Sequence, residues 1–110
     1  MESNPMSGAR IDVLKNMVAQ NPNDSFSRYG LAMEYAQSGN LEQAITEYNT
    51  LLSGNPKYAA GYYHAGQAFE KLGRLDEARA MYRKGIEITT QIGDLHTRSE
   101  LQAALDILGD

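Results

Sequence analysis

The sequence predicts an all-α fold, built as an array of antiparallel helix pairs with about six helices in total. A shift of 34 residues brings much of the chain onto itself, and a fixed period of this length is typical of repeat architectures. Apolar residues recur at helical spacing in segments that Gly and Pro interrupt. The sustained alternation of apolar and polar residues that marks a half-buried strand is missing.

The self-similarity rests on residues with distinct structural roles. It pairs two Asn-Pro steps, two glycines and several apolar or aromatic positions. The matches are Asn21-Pro22 with Asn55-Pro56, Tyr29 with Tyr63, Gly39 with Gly73, Leu41 with Leu75, Ala44 with Ala78 and Tyr48 with Tyr82. Because chance rarely keeps Pro, Gly and Tyr in one register, we interpret the chain as two tandem repeats flanked by partial units.

Each repeat is interpreted as two helices separated by a glycine turn. The first helix of repeat one spans Ser25 to Gln37, and Gly39 suits the left-handed residue that follows a helix end. The second helix starts at Leu41 and ends before Pro56, since Pro cannot continue a helix. Their apolar stripes consist of Leu31, Ala32 and Tyr35, and of Leu41, Ala44, Ile45, Tyr48, Leu51 and Leu52. Repeat two follows the same plan.

The chain is divided accordingly into one domain and a short tail. Residues 1–6 are predicted to be disordered, because chain termini order poorly unless they are tied down. Residues 7–110 form the single repeat domain. Within it we assign 7–21 to a half-repeat helix, 22–56 to the first repeat, 57–90 to the second repeat and 91–108 to a capping helix. Asp94 is expected to cap that last helix, or Thr97 with Glu100 to form a capping box.

This helix pair resembles the tetratricopeptide repeat (TPR) family. The family pattern places aromatic, Leu, small and aromatic residues on the first helix, then a small residue, an aromatic residue and a closing Pro. The matching positions are Arg28, Leu31, Ala32 and Tyr35, then Tyr62, Ala65, Gly66 and Phe69, with Ala44 and Ala78, Tyr48 and Tyr82, and Pro22 and Pro56. The departures are Arg28 for an aromatic, Leu51 and Arg10 for small residues, and Thr90 for a third Pro.

The resemblance implies a right-handed superhelical α-solenoid whose first helices line a concave side. Two antiparallel helices cannot bury their stripes alone, so stacked repeats share one continuous core. We expect the small residues to let paired backbones approach closely, with Ala32 against Ala44 and Gly66 against Ala78.

The first helices are predicted to carry a binding face, because they hold aromatic and Met side chains outside the core stripe. The candidate groove residues are Phe26, Tyr29, Met33, Gln37, Tyr63, Gln67, Glu70, Lys71 and Arg98. The alternative interpretation is that the aromatic and Met side chains pack internally. The favoured partner is an apolar or aromatic segment of another protein, either helical or extended, which makes the chain an adaptor or scaffold.

Some TPR proteins grip the C-terminal carboxylate of a partner with basic and amide side chains. The corresponding positions here are Tyr29, Met33, His64, Asp94 and Arg98, and only Arg98 is of the matching type. We therefore predict against an acidic C-terminal tail as the ligand.

Composition narrows the remaining function classes. The net charge of −4 argues against nucleic acid and anionic membranes as partners, since both require a positive field. No apolar run approaches the roughly 20 residues of a membrane span. The absence of cysteine excludes disulfides and thiolate metal sites and fits a reducing, cytoplasmic location.

No acid–base cluster is legible, so we expect no catalysis, no cofactor and no metal. The two histidines, His64 and His96, are interpreted as structural or solvated. Six carboxylates are expected on solvent faces, namely those of Glu34, Glu42, Glu47, Asp76, Glu77 and Glu87.

A second hypothesis is self-association. A short array exposes its terminal faces. The stripe of Ile11, Leu14 and Val18 on the first helix offers a surface for a homodimer, and this role is compatible with partner binding.

Overall fold

The computed structural model describes the backbone of residues 5–109 and the side chains of residues 8–109. This part of the chain forms six helices and no strand, which confirms the all-α prediction. The helices are α1 (Pro5–Gln20), α2 (Ser25–Gln37), α3 (Leu41–Gly54), α4 (Ala59–Lys71), α5 (Leu75–Ile92) and α6 (Leu95–Leu108). Of the predicted disordered tail, residues 1–4 lie outside the described residues, and α1 begins at Pro5.

Glycine turns end the first helix of each pair, as the sequence predicts. Gly39 has φ of +84°, a left-handed conformation that side chains with a Cβ rarely adopt. The N–H of Gly39 donates to the carbonyl of Ala36 at 3.1 Å, and the N–H of Asn40 donates to that of Tyr35 at 2.8 Å. These two bonds satisfy the last carbonyls of α2 and reverse the chain within a few residues.

Aspartate side chains cap the starts of α2 and α6. The Asp24 carboxylate accepts hydrogen bonds from the Phe26 N–H at 3.2 Å and from the Ser27 hydroxyl at 2.6 Å. Asp94 accepts from the Thr97 N–H at 3.1 Å, so the simple aspartate cap is the one that forms at α6.

Helix α5 runs past the residue at which the second repeat was assigned to end. It continues beyond residue 90 to Ile92, and Gly93 follows it with φ of +75°. Thr90 stands where the family has a third Pro, and it lacks the constraint by which Pro stops a helix. Its hydroxyl donates to the carbonyl of Ile86 at 2.7 Å.

The helices are arranged in two rows. Each helix packs against its neighbours in sequence, α2 also contacts α4, and α4 also contacts α6. By contrast, α3 and α5 do not contact each other within the described chain. Helices α2, α4 and α6 therefore form the inner face, and α3 and α5 lie outside. No described helix is both long and apolar enough to cross a lipid bilayer.

The core lies between the two rows and is centred on two tyrosine rings. Tyr48 and Tyr82 are fully buried, as are the alanines at the predicted small positions of both repeats. The structure adds a second neighbour to Gly66, which was predicted to lie against Ala78: the Tyr82 ring occupies the space where a Gly66 side chain would lie. A Cβ built on Gly66 would overlap Cε1 of Tyr82. Glycine is required there because the ring lies directly against the α4 backbone.

Two carboxylates predicted to lie in solvent are half-buried in ion pairs. Arg28, which replaces the family's aromatic residue, contacts Glu47 at 2.6 Å and so joins α2 to α3. Arg10 contacts Glu34 at 2.8 Å and joins α1 to α2. The long arginine side chains reach the neighbouring helix, which periodicity along a single helix does not reveal.

We predict that Gly66→Ala destabilises the protein by about 1–3 kcal/mol, because the methyl group overlaps the Tyr82 ring. Thermal unfolding followed by circular dichroism measures this. The matched control is Gly54→Ala, since Gly54 lies in α3 with no atom within 4 Å of its Cβ position. The control should leave the melting temperature unchanged or raise it, because Ala favours the helix. Equal melting temperatures for the two variants would contradict the packing.

Candidate functional site

A row of aromatic side chains runs along the inner face. We call it the inner aromatic row, and it consists of Tyr58, Tyr29, His64, Tyr63 and Tyr82. Tyr29 lies 5.1 Å from Tyr58 and 5.7 Å from His64 between ring centroids. Tyr63 lies 5.3 Å from His64 and 6.4 Å from Tyr82. These separations are those of tilted and edge-to-face aromatic pairs, which pre-order the row.

Two cavities open on the inner face. The α2–α4 cavity has a volume of about 220 Å³ and is lined by Met33, Ala36, Gln37, Tyr48, His64, Gln67, Ala68 and Lys71. The α4–α6 cavity has a volume of about 400 Å³ and is lined by Tyr63, Gln67, Glu70, Glu100, Ala103, Ala104 and Ile107. Gln67 lines both cavities.

The two cavities carry opposite charge. Lys71 is the charged residue lining the α2–α4 cavity, whereas Glu70 and Glu100 line the α4–α6 cavity. A segment crossing the inner face would therefore meet a positive site and then a negative one.

The buried tyrosine hydroxyls of the two repeats differ in their hydrogen bonds. The Gln67 amide donates to the Tyr82 hydroxyl at 2.9 Å, and that hydroxyl donates to the Glu70 carboxylate. The Tyr48 hydroxyl is buried and has no hydrogen-bond partner among the described residues. One repeat thus has a satisfied hydroxyl at the inner face, and the other has an unsatisfied one.

Burial shifts the pKa values of His64, Tyr29 and Tyr58 in the inner aromatic row. It holds the pKa of His64 below its ordinary value of 6.5, and the charge of Lys71 acts in the same direction while Glu100 opposes it. Burial also raises the pKa of Tyr29 and Tyr58 above 10.0, so both hydroxyls stay neutral and can donate hydrogen bonds. At neutral pH the uncharged forms of Tyr29, Tyr58 and His64 are therefore favoured.

Most of the predicted groove residues line this face. Met33, Gln37, Gln67 and Lys71 line the α2–α4 cavity, Tyr63, Gln67 and Glu70 line the α4–α6 cavity, and Tyr29 lies in the inner aromatic row. Phe26, which is 65% exposed, and Arg98, also exposed, are among the lining residues of neither cavity.

The groove residues predicted from the sequence do not include Tyr58, His64 or the Tyr48 hydroxyl, although the family resemblance places His64 at a ligand-contacting position of some members. Tyr58 lies in the loop before α4, outside the helical spacing that predicts the groove residues. A signal for Tyr48 was present in the repeat itself. Gln67 and Glu70 hydrogen-bond with the Tyr82 hydroxyl. The residues 34 positions earlier are Met33 and Ala36, whose side chains cannot pair with the Tyr48 hydroxyl in this way.

A larger cavity of about 490 Å³ lies on the outer side, between α3 and α5. It is lined by Asn49, Leu52, Ser53, Tyr62, Phe69, Glu77, Ala80, Met81 and Lys84. Its aromatic residues already belong to the core, and the Tyr62 hydroxyl donates to the Pro56 carbonyl at 2.6 Å. We therefore place the candidate site on the inner face, where aromatic surface and a buried donor are unused.

Among the described residues, no cluster of three or more His, Asp or Glu side chains is placed to hold a metal ion.

Comparison with known proteins identifies the family. Residues 29–91 match the family model described as tetratricopeptide repeat. The chain belongs to the tetratricopeptide repeat family. The TPR repeat-containing protein PA0015 of Pseudomonas aeruginosa is 28% identical over 95 residues, which cover 86% of this chain and 90% of that protein. Repeats of this family are protein–protein interaction modules.

Solved structures agree with the TPR-like solenoid predicted from the sequence. The TPR domain protein of Salinibacter ruber superimposes with a TM-score of 0.75 at 36% identity, over 80% of this chain and 89% of that one. PcrH, solved in complex with the chaperone binding region of PopD, superimposes with a TM-score of 0.84 at 17% identity, over 89% and 74% of the two chains. The second likeness shows the shared fold.

We predict that the folded state of this TPR protein loses stability below pH 6.5 because of His64. A histidine whose folded pKa lies below its unfolded value of 6.5 binds fewer protons when folded, so its contribution to stability is complete above pH 6.5. That contribution is lost as the pH falls through the lower, folded pKa. Melting temperatures of the wild type should therefore fall more steeply below pH 6.5 than those of His64→Gln. An NMR titration placing the His64 ring at or above 6.5 would contradict the burial.

Proposed function

We propose that the chain binds a segment of a partner protein on its inner face and acts as an adaptor or scaffold. The inner aromatic row carries this proposal. Tyr29, Tyr58 and Tyr63 remain partly exposed, and they stand beside a core that Tyr48 and Tyr82 already fill. Tyrosine offers a large contact area with few rotatable bonds to immobilise, so a row of such rings favours binding another chain.

The cavities on either side of α4 supply specificity in this proposal. A bound segment lies across the exposed tyrosines and inserts side chains into the two cavities, as peptides do in recognition grooves. Its apolar or aromatic residues cover the tyrosine rings and Met33. Because two and a half repeats give a short groove, we expect a dissociation constant of about 1 μM.

The proposed role needs neither catalysis nor a cofactor or metal. The net charge of −4 supports a protein partner over nucleic acid or an anionic membrane. The lack of cysteine supports action in the cytoplasm. PcrH, which shares the fold, was solved with a region of PopD bound to it, and this supports the same use of the fold here.

Peptide selection tests the proposed groove. A phage library of short random peptides is selected on the wild-type chain, and enriched peptides are synthesised for fluorescence polarisation. Tyr29→Ala combined with Tyr63→Ala should weaken their binding by about tenfold or more, because two aromatic contacts are lost. Circular dichroism should show that helicity is retained.

The control combines Asn49→Ala with Lys84→Ala, two changes on the rim of the outer cavity. It should bind the peptides as the wild type does. The groove would be disproved by a failure to enrich any peptide, or by unchanged binding of the double tyrosine variant.

Self-association is the second candidate function. The predicted dimer stripe of Ile11, Leu14 and Val18 is partly buried against the chain's own core, so it is not a free surface. On α6, however, Leu95 is 66% exposed and Ile107 is 87% exposed. Exposed apolar side chains on a terminal helix favour pairing with a second copy.

We predict that, if the chain self-associates, Ile107→Glu converts the dimer to a monomer, because a carboxylate would then be buried in the interface. Sedimentation equilibrium at micromolar concentration measures the mass of both proteins. The exposed polar site Gln102→Glu on the same helix is the control. A wild-type chain that sediments as a monomer would rule this function out.

A further inference from the structure

We infer that the α2–α4 cavity is an anchor site for an acidic side chain of the bound segment, whose carboxylate accepts a hydrogen bond from the Tyr48 hydroxyl. The inference rests on the proposed function, since it names the chemistry of one residue in the peptide that the inner face binds.

Tyr48 carries an unused donor beside the cavity. The residue is 0% exposed and is one of those that line the α2–α4 cavity, and its buried hydroxyl has no hydrogen-bond partner among the described residues. Buried polar groups in proteins are nearly always paired, and an unpaired one costs stability. A buried donor left unpaired beside a cavity indicates that its partner comes from outside the chain.

The second repeat shows which chemistry satisfies this hydroxyl. Tyr82, the equivalent residue, donates to the carboxylate of Glu70. In the first repeat Ala36 stands at the position of Glu70, and Met33 stands at that of Gln67. Both replacements line the cavity and leave the hydroxyl without an acceptor. A carboxylate entering the α2–α4 cavity would take the place that Glu70 fills one repeat later.

Charge and size favour the same occupant. Lys71 lines the cavity, and it forms no ion pair with another described residue. The amide of Gln37 adds further donors, while Met33 and Ala68 give apolar walls for a methylene stem. A volume of about 220 Å³ lies below the roughly 300 Å³ at which small-molecule pockets begin, so it suits a single side chain.

The neighbouring α4–α6 cavity excludes the opposite placement. Its carboxylates, Glu70 and Glu100, would repel an acidic residue. The acidic side chain of the segment therefore enters beside α2 rather than beside α6, and this fixes the register of the segment on the inner face.

A paired comparison of peptides tests the anchor. Peptides enriched on the wild-type chain are made acetylated and amidated at their ends, so that side chains supply the only carboxylates. Each acidic residue is then replaced by its amide, Glu by Gln or Asp by Asn. For one position the wild type should bind the acidic peptide about tenfold more tightly, the difference expected of a hydrogen bond to a charged group.

Tyr48→Phe should reduce this preference to about threefold or less. The positive charge of Lys71 should make the preference for the acidic peptide weaken as the salt concentration rises, and Lys71→Met should remove that dependence on salt. Tyr62→Phe is the matched control, because it deletes a buried tyrosine hydroxyl that bonds to Pro56 away from the inner face. It should keep the full preference. Thermal unfolding guards against misfolding, since Tyr48→Phe removes an unpaired polar group and should melt no lower than the wild type.

The outcomes separate the two proposals. If no peptide is enriched, the proposed function fails and the anchor fails with it. If peptides bind on the inner face but contain no preferred acidic residue, the anchor alone is overturned. A preference that Tyr48→Phe leaves unchanged also overturns it, because the hydroxyl then makes no contribution to the preference.

Discussion

The insertion of one tyrosine ring per repeat between the two rows of helices organises this molecule. The Tyr82 ring leaves the outer helix α5 and lies against the α4 backbone so closely that only glycine fits at position 66. Its hydroxyl reaches Gln67 and Glu70 on α4. One side chain therefore supplies the centre of the core with its ring and a polar contact of the inner face with its oxygen.

The two repeats are alike in the core and unlike at the surface. Tyr48 and Tyr82 are equally buried, as the shared burial of aromatic surface requires. Their hydroxyls diverge, because the side chains around them on α2 and α4 differ. Function in a repeat protein is expected where the repeat breaks its own pattern, since the pattern itself is explained by packing. Here the break lies in the α2–α4 cavity.

The sequence predicts most of the fold because the relevant signals are local. Helix α2 was bounded by its apolar spacing and Gly39, and the structure agrees with both ends. The end of α5 has no such signal at the repeat boundary, since Thr90 lacks the constraint that Pro imposes. The pairing of Arg28 with Glu47 was missed, because it depends on reach between helices rather than on spacing along one of them.

The candidate site was less predictable, because it depends on contacts between helices rather than on spacing along one of them. Periodicity identifies which face a residue occupies, and it brought Tyr29, Met33, Tyr63 and Gln67 to the inner side. It does not report how far a tyrosine extends through a core, so the hydroxyl of Tyr48 was assigned to packing. The contact between the Tyr29 and Tyr58 rings likewise joins helix α2 to the loop before α4. The spacing of residues along a single helix does not predict such a contact.

The nearest-neighbour packing of the helices has a consequence for how the chain folds. Contacts join helices that are adjacent in sequence or separated by one helix, so their formation closes only short loops. Such a topology has low contact order and favours rapid folding that starts in any helix pair and spreads outwards. The array is therefore expected to fold as a one-dimensional series of modules, in which each helix pair is stabilised by its contacts with the next pair.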